Sequence, residues 1–314
     1  MAFRIFSDND LRQAITMRQA VHAMEDAFVS IHTKKIMAPL RTVIATEKQN
    51  GQALFMPSYS ADWGLFGLKM VSVFPENGAK GLLSIQGKVL VMDADTGEPL
   101  MLTDASYLTA LRTGAASGLA TSLLANPSSR VLAVFGTGGQ AMLQAEGVLS
   151  VLSVEKILVK GTSLQKENEW CSEVEKKFNI PTVPITNPNQ LAEADVICTA
   201  TSSMKPVFAH RHLKPGVHIN AIGSFKKTMQ EVPGETVKEA LLIVDQVEAA
   251  LEEAGDVAIP LQEGLIDAGH IHAELGEIIL MKKPGRTRPD QITLFKSVGH
   301  AAQDLAIAKL MLGK

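Results

Sequence analysis

The stretch RVLAVFGTGGQAMLQAEGVL, residues 130–149, runs an apolar segment into a glycine cluster and then into a helix-forming segment. Residues 131–135 carry no charge and read as a strand buried on both faces. Gly136, Gly138 and Ala141 stand at the spacing G-x-G-x-x-A. Gly136 permits the tight turn, Gly138 lets the backbone approach a pyrophosphate, and Ala141 lets the following helix close on the strand. Gly139 and Gln140 complete the loop, where the N–H groups and positive dipole end of the helix suit phosphate oxygens. A glycine pattern alone is a weak signal. The strand before it, the helix after it and a second strand at residues 157–160 make this one specific for a dinucleotide. A glycine-rich turn in an α/β domain without a nucleotide is the weaker reading.

The end of that second strand bears on which dinucleotide. Sites that take NAD place an acid there for the adenosine ribose hydroxyls. Here the chain reads Lys160-Gly161-Thr162-Ser163. Gly161 brings no negative charge, Thr162 and Ser163 bring hydroxyls, and Lys160 or Lys166 brings positive charge for a 2′-phosphate. The expectation is NADPH, with NADH possible.

Outward from this loop, strand and helix patterns alternate: KILVKG, KENEWCSEVEKKF, DVICTAT, HINAIG and ALLIVD. Such alternation indicates a parallel sheet covered on both faces. Residues 246–283 read as helical, and QITLFKSVGHAAQDLAIAKLMLG as a short strand running into a helix. Toward the start, residues 8–33 read as one helix capped by Ser7 or Asp8. Four short strand-like runs follow, with a turn signal at Asp95-Thr96-Gly97. Residues 104–125 read as a helix with Asp104 as its cap. The fold class is α/β: a Rossmann-type doubly wound parallel sheet plus a mixed α+β domain.

The 314 residues, 46% of them hydrophobic, are enough for two cores and exclude a disordered chain. A net charge of -3 without a long basic run argues against nucleic acid as a partner. No run reaches the roughly 18 apolar residues of a membrane span. The early charges exclude a signal peptide, and two cysteines outside any Cys-x-x-Cys pair fit a reducing, cytoplasmic setting.

Two cations stand in unusual places. Lys69 lies within the strand-like GLFGLKMVSVFP and Arg112 within the small-residue helix YLTALRTGAASG. A lysine in an apolar strand is costly without a counter-charge, and an arginine fork suits a carboxylate. With no internal acid evident beside them, the pair points to an anionic substrate; on their own, the reading as two surface charges would win. His270 and His272, without a third ligand, and His210 and His212 read as solvated, so no metal is expected. His300 reads as a helix cap or a packed side chain.

The motifs LKMVSVFPENG, VMDADTGEP, LTALRTGAASGLA, VFGTGGQA, INAIGSF…QEV and ITLFKSVGHAAQDLA together resemble the ornithine cyclodeaminase/mu-crystallin family over essentially the whole chain. The resemblance implies a homodimer. Residues 1–118 with 292–314 would form the substrate-binding and dimerisation domain, and 119–291 the dinucleotide-binding domain. It implies that Lys69 and Arg112 bind the substrate carboxylate, with Arg41 as a further substrate-binding arginine and Ser84 as a hydroxyl near the nicotinamide. Lys69, Ser84 or water would protonate the substrate. It also places Arg112, Thr113, Thr199, Thr201, Ile222, Gly223 and Ser297 around the cofactor.

One departure stands out. Cyclodeaminases carry a proton-accepting aspartate shortly after the glycine that here is Gly223. Phe225 stands at that place, and Glu231 reads as the start of the next helix. The pattern G-S-F-x-x-x-M-Q-E is similar to the branch that reduces cyclic imines such as Δ1-pyrroline-2-carboxylate to L-proline. The alternatives are a cyclodeaminase, an amino-acid dehydrogenase or a non-catalytic NADPH-binding protein.

Overall fold

A computed structural model describes residues 2–313. In chain order its first part carries β1 (Arg4–Phe6), α1 (Asp8–Ala14), α2 (Met17–His32), β2 (Ile36–Met37), β3 (Thr42–Thr46), β4 (Gly51–Ser60), β5 (Leu65–Val73), β6 (Ile85–Asp93), β7 (Pro99–Asp104) and α3 (Ser106–Leu124). Then come β8 (Val131–Phe135), α4 (Ala141–Leu149), β9 (Lys156–Lys160), α5 (Leu164–Phe178), β10 (Thr182–Pro184), β11 (Val196–Thr199), β12 (His218–Ala221), α6 (Gly234–Glu239) and β13 (Leu241–Val244). The last are α7 (Val247–Glu253), α8 (Gly255–Gln262), β14 (Ile271–Glu274), α9 (Leu275–Ile279), β15 (Thr293–Lys296) and α10 (Ala301–Leu312). Two units result: residues up to 112 together with those from 299, and residues 113–298.

The first unit is a sheet in the order β1-β7-β6-β5-β4-β2, with β3 also paired to β4. Every pairing is antiparallel except β1 with β7. β6 and β7 form the hairpin signalled by Asp95-Thr96-Gly97, where Gly97 takes φ +74°. α2 and α10 pack together, and α10 lies over β4, β5 and β6. At Gly67 a Cβ would stand 2.8 Å from Ser58 Oγ and 2.9 Å from Leu305 Cδ1, so glycine lets α10 pack closely on β5 without those side chains shifting.

The single helix expected over 8–33 is two. Thr16 starts the second with a capping box: its hydroxyl accepts from Gln19 N, and Gln19 Oε1 accepts from Thr16 N at 2.9 Å. Asp104 is not the cap of α3. It pairs with Lys88 and accepts from Asp8 N, while Asp8 Oδ1 takes the Tyr107 amide at 3.0 Å.

The second unit is an all-parallel sheet in the order β10-β9-β8-β11-β12-β15-β13-β14. Its central strands are buried from end to end, as a sheet covered on both faces requires. Two expectations change here. Thr293–Lys296 pairs between β12 and β13 and belongs to this sheet, so the second unit runs to residue 298 rather than 291; it begins at 113, not 119. The helix expected over 246–283 is broken: Gly264, at φ +71°, lies just past α8, and Ile271–Glu274 adds to β13 as a strand. Gly114 and Gly147 let α3 and α4 touch, since a Cβ on either would fall about 2 Å from a backbone oxygen of the other helix. That contact explains the small residues of LRTGAASGLA.

Candidate active site

The first unit gathers three cations around one acid. Lys69 projects from the middle of β5 and is 3% exposed. Its Nζ lies 2.7 Å from Oδ2 of Asp304, on α10, and Arg112 Nε lies 3.4 Å from Oδ1 of the same carboxylate. Arg112 Nη1 also donates to Gln303 Oε1 at 2.9 Å, and Arg41 Nη2 donates to the Gly299 carbonyl at 3.2 Å. The guanidinium of Arg112 lies so close to Gly299, itself at φ +84°, that a Cβ there would stand 2.6 Å from Nη1. His300 begins α10, its Nδ1 accepting from Ala302 N. The motif SVGHAAQD thus holds the arginines (Gly299, Gln303), caps the helix (His300) and supplies the acid (Asp304).

Burial is the largest influence on Lys69 and lowers its pKa to about 8; Asp304 pulls it up, and Arg112 and Arg41 push it down. Lys69 and Arg112 share the carboxylate of Asp304, and two cations gathered in a buried place suit a small anion. The structure brings Lys69, Arg112 and Arg41 together, and it sets beside them an acid, Asp304, where the sequence showed none. The signal was available: α10 is buried on nearly all sides, and an acid amid AAQDLAIA has to meet a cation. Ser84 lies in the bend before β6, its carbonyl accepting from Phe74 N; among the described residues no hydrogen bond joins its hydroxyl to the cluster.

The second unit carries a cleft of about 800 Å3 bordered by Gly136, Thr137, Gly138, Gly161, Thr162 and Thr201. Gly136, at φ +111°, turns the chain where a Cβ would meet Ala200 O at 2.5 Å. Around Gly138 and Gly139 a Cβ would meet nothing within 4 Å, so both leave open space beside the start of α4. Gln140 caps α4 without a side-chain hydrogen bond, and Ala141 is fully buried against the sheet. A helix start whose N–H groups no side chain satisfies, opening on such space, fits a pyrophosphate.

At the end of β9, Lys160 is committed: it pairs with Glu167 at 3.1 Å and donates to Ile185 O. Glu167 also accepts from Gly161 N at 3.0 Å. Lys160 thus borders the cleft with its charge already matched by Glu167, whereas Thr162 and Lys166 are exposed on it. Ser163 caps α5, its hydroxyl accepting from Lys166 N.

Several residues expected around the cofactor have polar groups engaged with internal partners. Thr199 is fully buried and its hydroxyl donates to Glu231. The amides of Ile222 and Gly223 donate to Thr199 O and Glu231 Oε2. Ser297 is 2% exposed and donates to Asp245 at 2.9 Å. Thr113 is buried in α3, and Thr201 alone of this set borders the cleft. Glu231 does not begin a helix; it is fully buried ahead of α6. His270 and His272 each meet a backbone carbonyl through Nε2. Among the described residues no helix is long and apolar enough to cross a membrane.

A family model described as the ornithine cyclodeaminase/mu-crystallin family matches residues 4–314. The chain is 40% identical over 312 residues, 99% of its length and 96% of the relative's, to a Delta(1)-pyrroline-2-carboxylate reductase of Bacillus cereus. Among solved structures it is similar to the Thermococcus litoralis Delta(1)-pyrroline-2-carboxylate reductase in complex with NADH and L-proline. There the TM-score is 0.93 at 40% identity, covering 98% of this chain and 95% of that one. An archaeal alanine dehydrogenase dimer with bound NAD also superposes with TM-score 0.93, at 32% identity over 100% of this chain and 96% of that one.

Proposed function

The chain belongs to the ornithine cyclodeaminase/mu-crystallin family, and from that premise we propose that it reduces a cyclic imino acid, Δ1-pyrroline-2-carboxylate to L-proline, with a nicotinamide dinucleotide. The observation that carries this reading is the buried pair of cations, Lys69 and Arg112, set about the carboxylate of Asp304, with the partly exposed Arg41 beside them. A flat imino acid offers a carboxylate for the two arginines and a ring nitrogen for Lys69. Bound reduced nicotinamide supplies the hydride. Arg112, fixed by Gln303 and Gly299, orients the carboxylate. Lys69, with a pKa of about 8, is charged at neutral pH and gives its proton to the imine nitrogen. Asp304 holds Lys69 and Arg112 at fixed positions, so the charge that receives the substrate is organised before it binds.

A cyclodeaminase reading lacks its base. Phe225 stands where the acid would be, and both oxygens of Glu231 are occupied by internal donors. The deciding assay offers the purified protein a reduced dinucleotide with Δ1-pyrroline-2-carboxylate, and separately an oxidised one with ornithine. Oxidation of the cofactor in the first supports the reading. Ammonia released in the second, or tight cofactor binding with no turnover in either, overturns it.

NADPH is the proposed preference, on the exposed Thr162 and Lys166 and the absent side chain of Gly161. Lys166→Glu is expected to lower kcat/KM for NADPH about ten-fold and to change that for NADH by less than about two-fold. A wild-type enzyme that uses NADH as well as NADPH counts against the preference. Gly161→Asp is the poorer test, because its Cβ would lie 2.9 Å from Thr137 Cγ2 and disturb the phosphate loop itself.

The working unit is proposed to be a homodimer. The face of the first sheet turned away from α10 exposes Phe66, Leu68 and Met70 in a row on β5. Pro57 and Leu90 lie opposite Leu68 on the adjacent strands. Such an apolar sheet face favours burial against a second copy. Leu68→Glu is expected to sediment at the 33.7 kDa of one chain and the wild type at twice that. A wild-type monomer that is fully active removes the proposal.

A further inference from the structure

The carboxylate of Glu231 accepts five hydrogen bonds within the second unit. Its Oε1 accepts from Thr201 N at 2.6 Å and Thr201 Oγ1 at 2.8 Å. Its Oε2 accepts from Gly223 N at 2.7 Å, Thr199 Oγ1 at 2.9 Å and Ser224 N at 3.2 Å. These five donors come from two places only: the end of β11 and the end of the adjacent β12. One carboxylate therefore ties together the carboxyl ends of two neighbouring strands. Gly223 is compelled to be glycine by the same knot, since a Cβ would lie 2.2 Å from Thr201 O and 2.4 Å from Glu231 Oε1.

The knot is anchored from behind. Asp256, at the start of α8, accepts from the amides of Glu231 and Val232 at 2.7 and 2.9 Å, and pairs with the fully buried Lys296 of β15 at 3.1 Å. Ser224 Oγ donates to Met229 O and accepts from Asp256 N. Gln230 N reaches Ser203 O, and Val207 N reaches Glu231 O. Residues 223–232 are thus laced to residues 199–207 along their length.

What the knot controls follows from where it sits. In a doubly wound sheet a dinucleotide lies across the carboxyl ends of the strands. The half that begins with the phosphate loop takes the adenosine, and the strands on the other side of the switch point take the other nucleoside. Here β8, β9 and β10 form the first half, and the switch point lies between β8 and β11. Thr201 forms part of the wall of the cleft facing Gly136–Gly138. Resting on the dinucleotide reading above, we propose that Glu231 is a positioning residue. It fixes the β11 and β12 ends that receive the nicotinamide half of the cofactor while leaving the adenosine half untouched.

An amide cannot replace it. In Glu231→Gln, whichever way the side chain turns, its NH2 faces at least one backbone N–H: Thr201 on one side, Gly223 and Ser224 on the other. Each is a donor against a donor in a buried place.

The test compares two probes on purified, full-length protein by titration calorimetry: NADH, which spans both halves, and ADP, which carries only the adenosine and pyrophosphate. Glu231→Gln and the milder Thr201→Val are the variants, with thermal unfolding measured alongside. The expected result for Glu231→Gln is an NADH Kd raised at least about ten-fold, with ADP binding changed by less than about two-fold. Thr201→Val, which deletes one donor, should move the same way by about three-fold or more. NADH binding at wild-type strength in both variants overturns the proposal. So does equal weakening of NADH and ADP, which would mark Glu231 as a general support of the unit. If Glu231→Gln does not fold, Thr201→Val decides on the same criteria. A wild-type protein that binds NADH without reducing any imine would fail the functional reading and leave this one standing.

Discussion

Lys69→Met is expected to lower kcat/KM for the imino acid by about a hundred-fold or more, the loss typical of removing both a charge-assisted contact and a proton donor. Dinucleotide affinity, read by its fluorescence, should stay near that of the wild type, because the cofactor loop lies in the other unit. The pH profile separates the two roles of the lysine. With a pKa of about 8, its protonated form predominates at neutral pH and disappears as pH rises, so wild-type kcat should fall above about pH 8. The residual rate of Lys69→Met should show no such fall. The variant also leaves Asp304 buried with Arg112 3.4 Å away as its remaining ion-pair partner in the cluster. Breaking a buried pair costs about 3–5 kcal/mol when no other partner remains, and less here. Arg112→Lys keeps the charge but loses the fork that reaches both Gln303 and Asp304, and should cost ten- to a hundred-fold, about 1.5–3 kcal/mol. Wild-type efficiency in both variants would acquit the pair. Loss of dinucleotide binding in step with activity in Lys69→Met would move the residue to the cofactor site or to the fold.

The second large effect separates two glycines two residues apart. Gly138→Ala adds a methyl group where nothing lies within 4 Å, so its melting temperature should match the wild type. That open space is where the pyrophosphate is expected, and dinucleotide Kd should rise by about ten- to a hundred-fold as its hydrogen bonds lengthen. Gly136→Ala should do the reverse first: at φ +111°, with its Cβ 2.5 Å from Ala200 O, it should destabilise the unit by at least about 1–3 kcal/mol. Calorimetry with and without NADH reads both quantities. A Gly138→Ala protein with unchanged affinity would place the cofactor elsewhere.

Much of this was legible in the sequence, for identifiable reasons. The phosphate loop could be read because glycine spacing and a flanking strand are local features. Lys69 and Arg112 could be read because a charge in an apolar pattern is anomalous. Asp304 was missed although it obeys the same rule, because its partners lie 235 and 192 positions away (304 − 69 and 304 − 112). Glu231 was misplaced for a similar reason. A carboxylate three residues before a helix matches a helix start, and nothing local reveals that its donors come from two strand ends. Lys160 looked available only because Glu167, at the start of the next helix, was not counted. Ser297, Thr199 and Ile222 sit beside the regions expected of them, yet their polar groups are turned to internal partners, which a linear motif does not record.

β15 has a consequence for how the chain is made. It is the last strand in chain order among the described residues, yet it lies between β12 and β13 in the interior of the second sheet. Until residue 296 has left the ribosome, β13 and β14 have no edge to join, and the buried Asp256 has no lysine. The first unit waits as well, since Asp304 and the helix that covers β5 come later still. Neither half can complete its core until these residues have emerged, so both should close late and together. Long-range pairing of this kind is slow and leaves apolar strand edges exposed in the meantime. Chains ending before residue 293 are therefore expected to aggregate during synthesis rather than to yield a foldable dinucleotide-binding fragment.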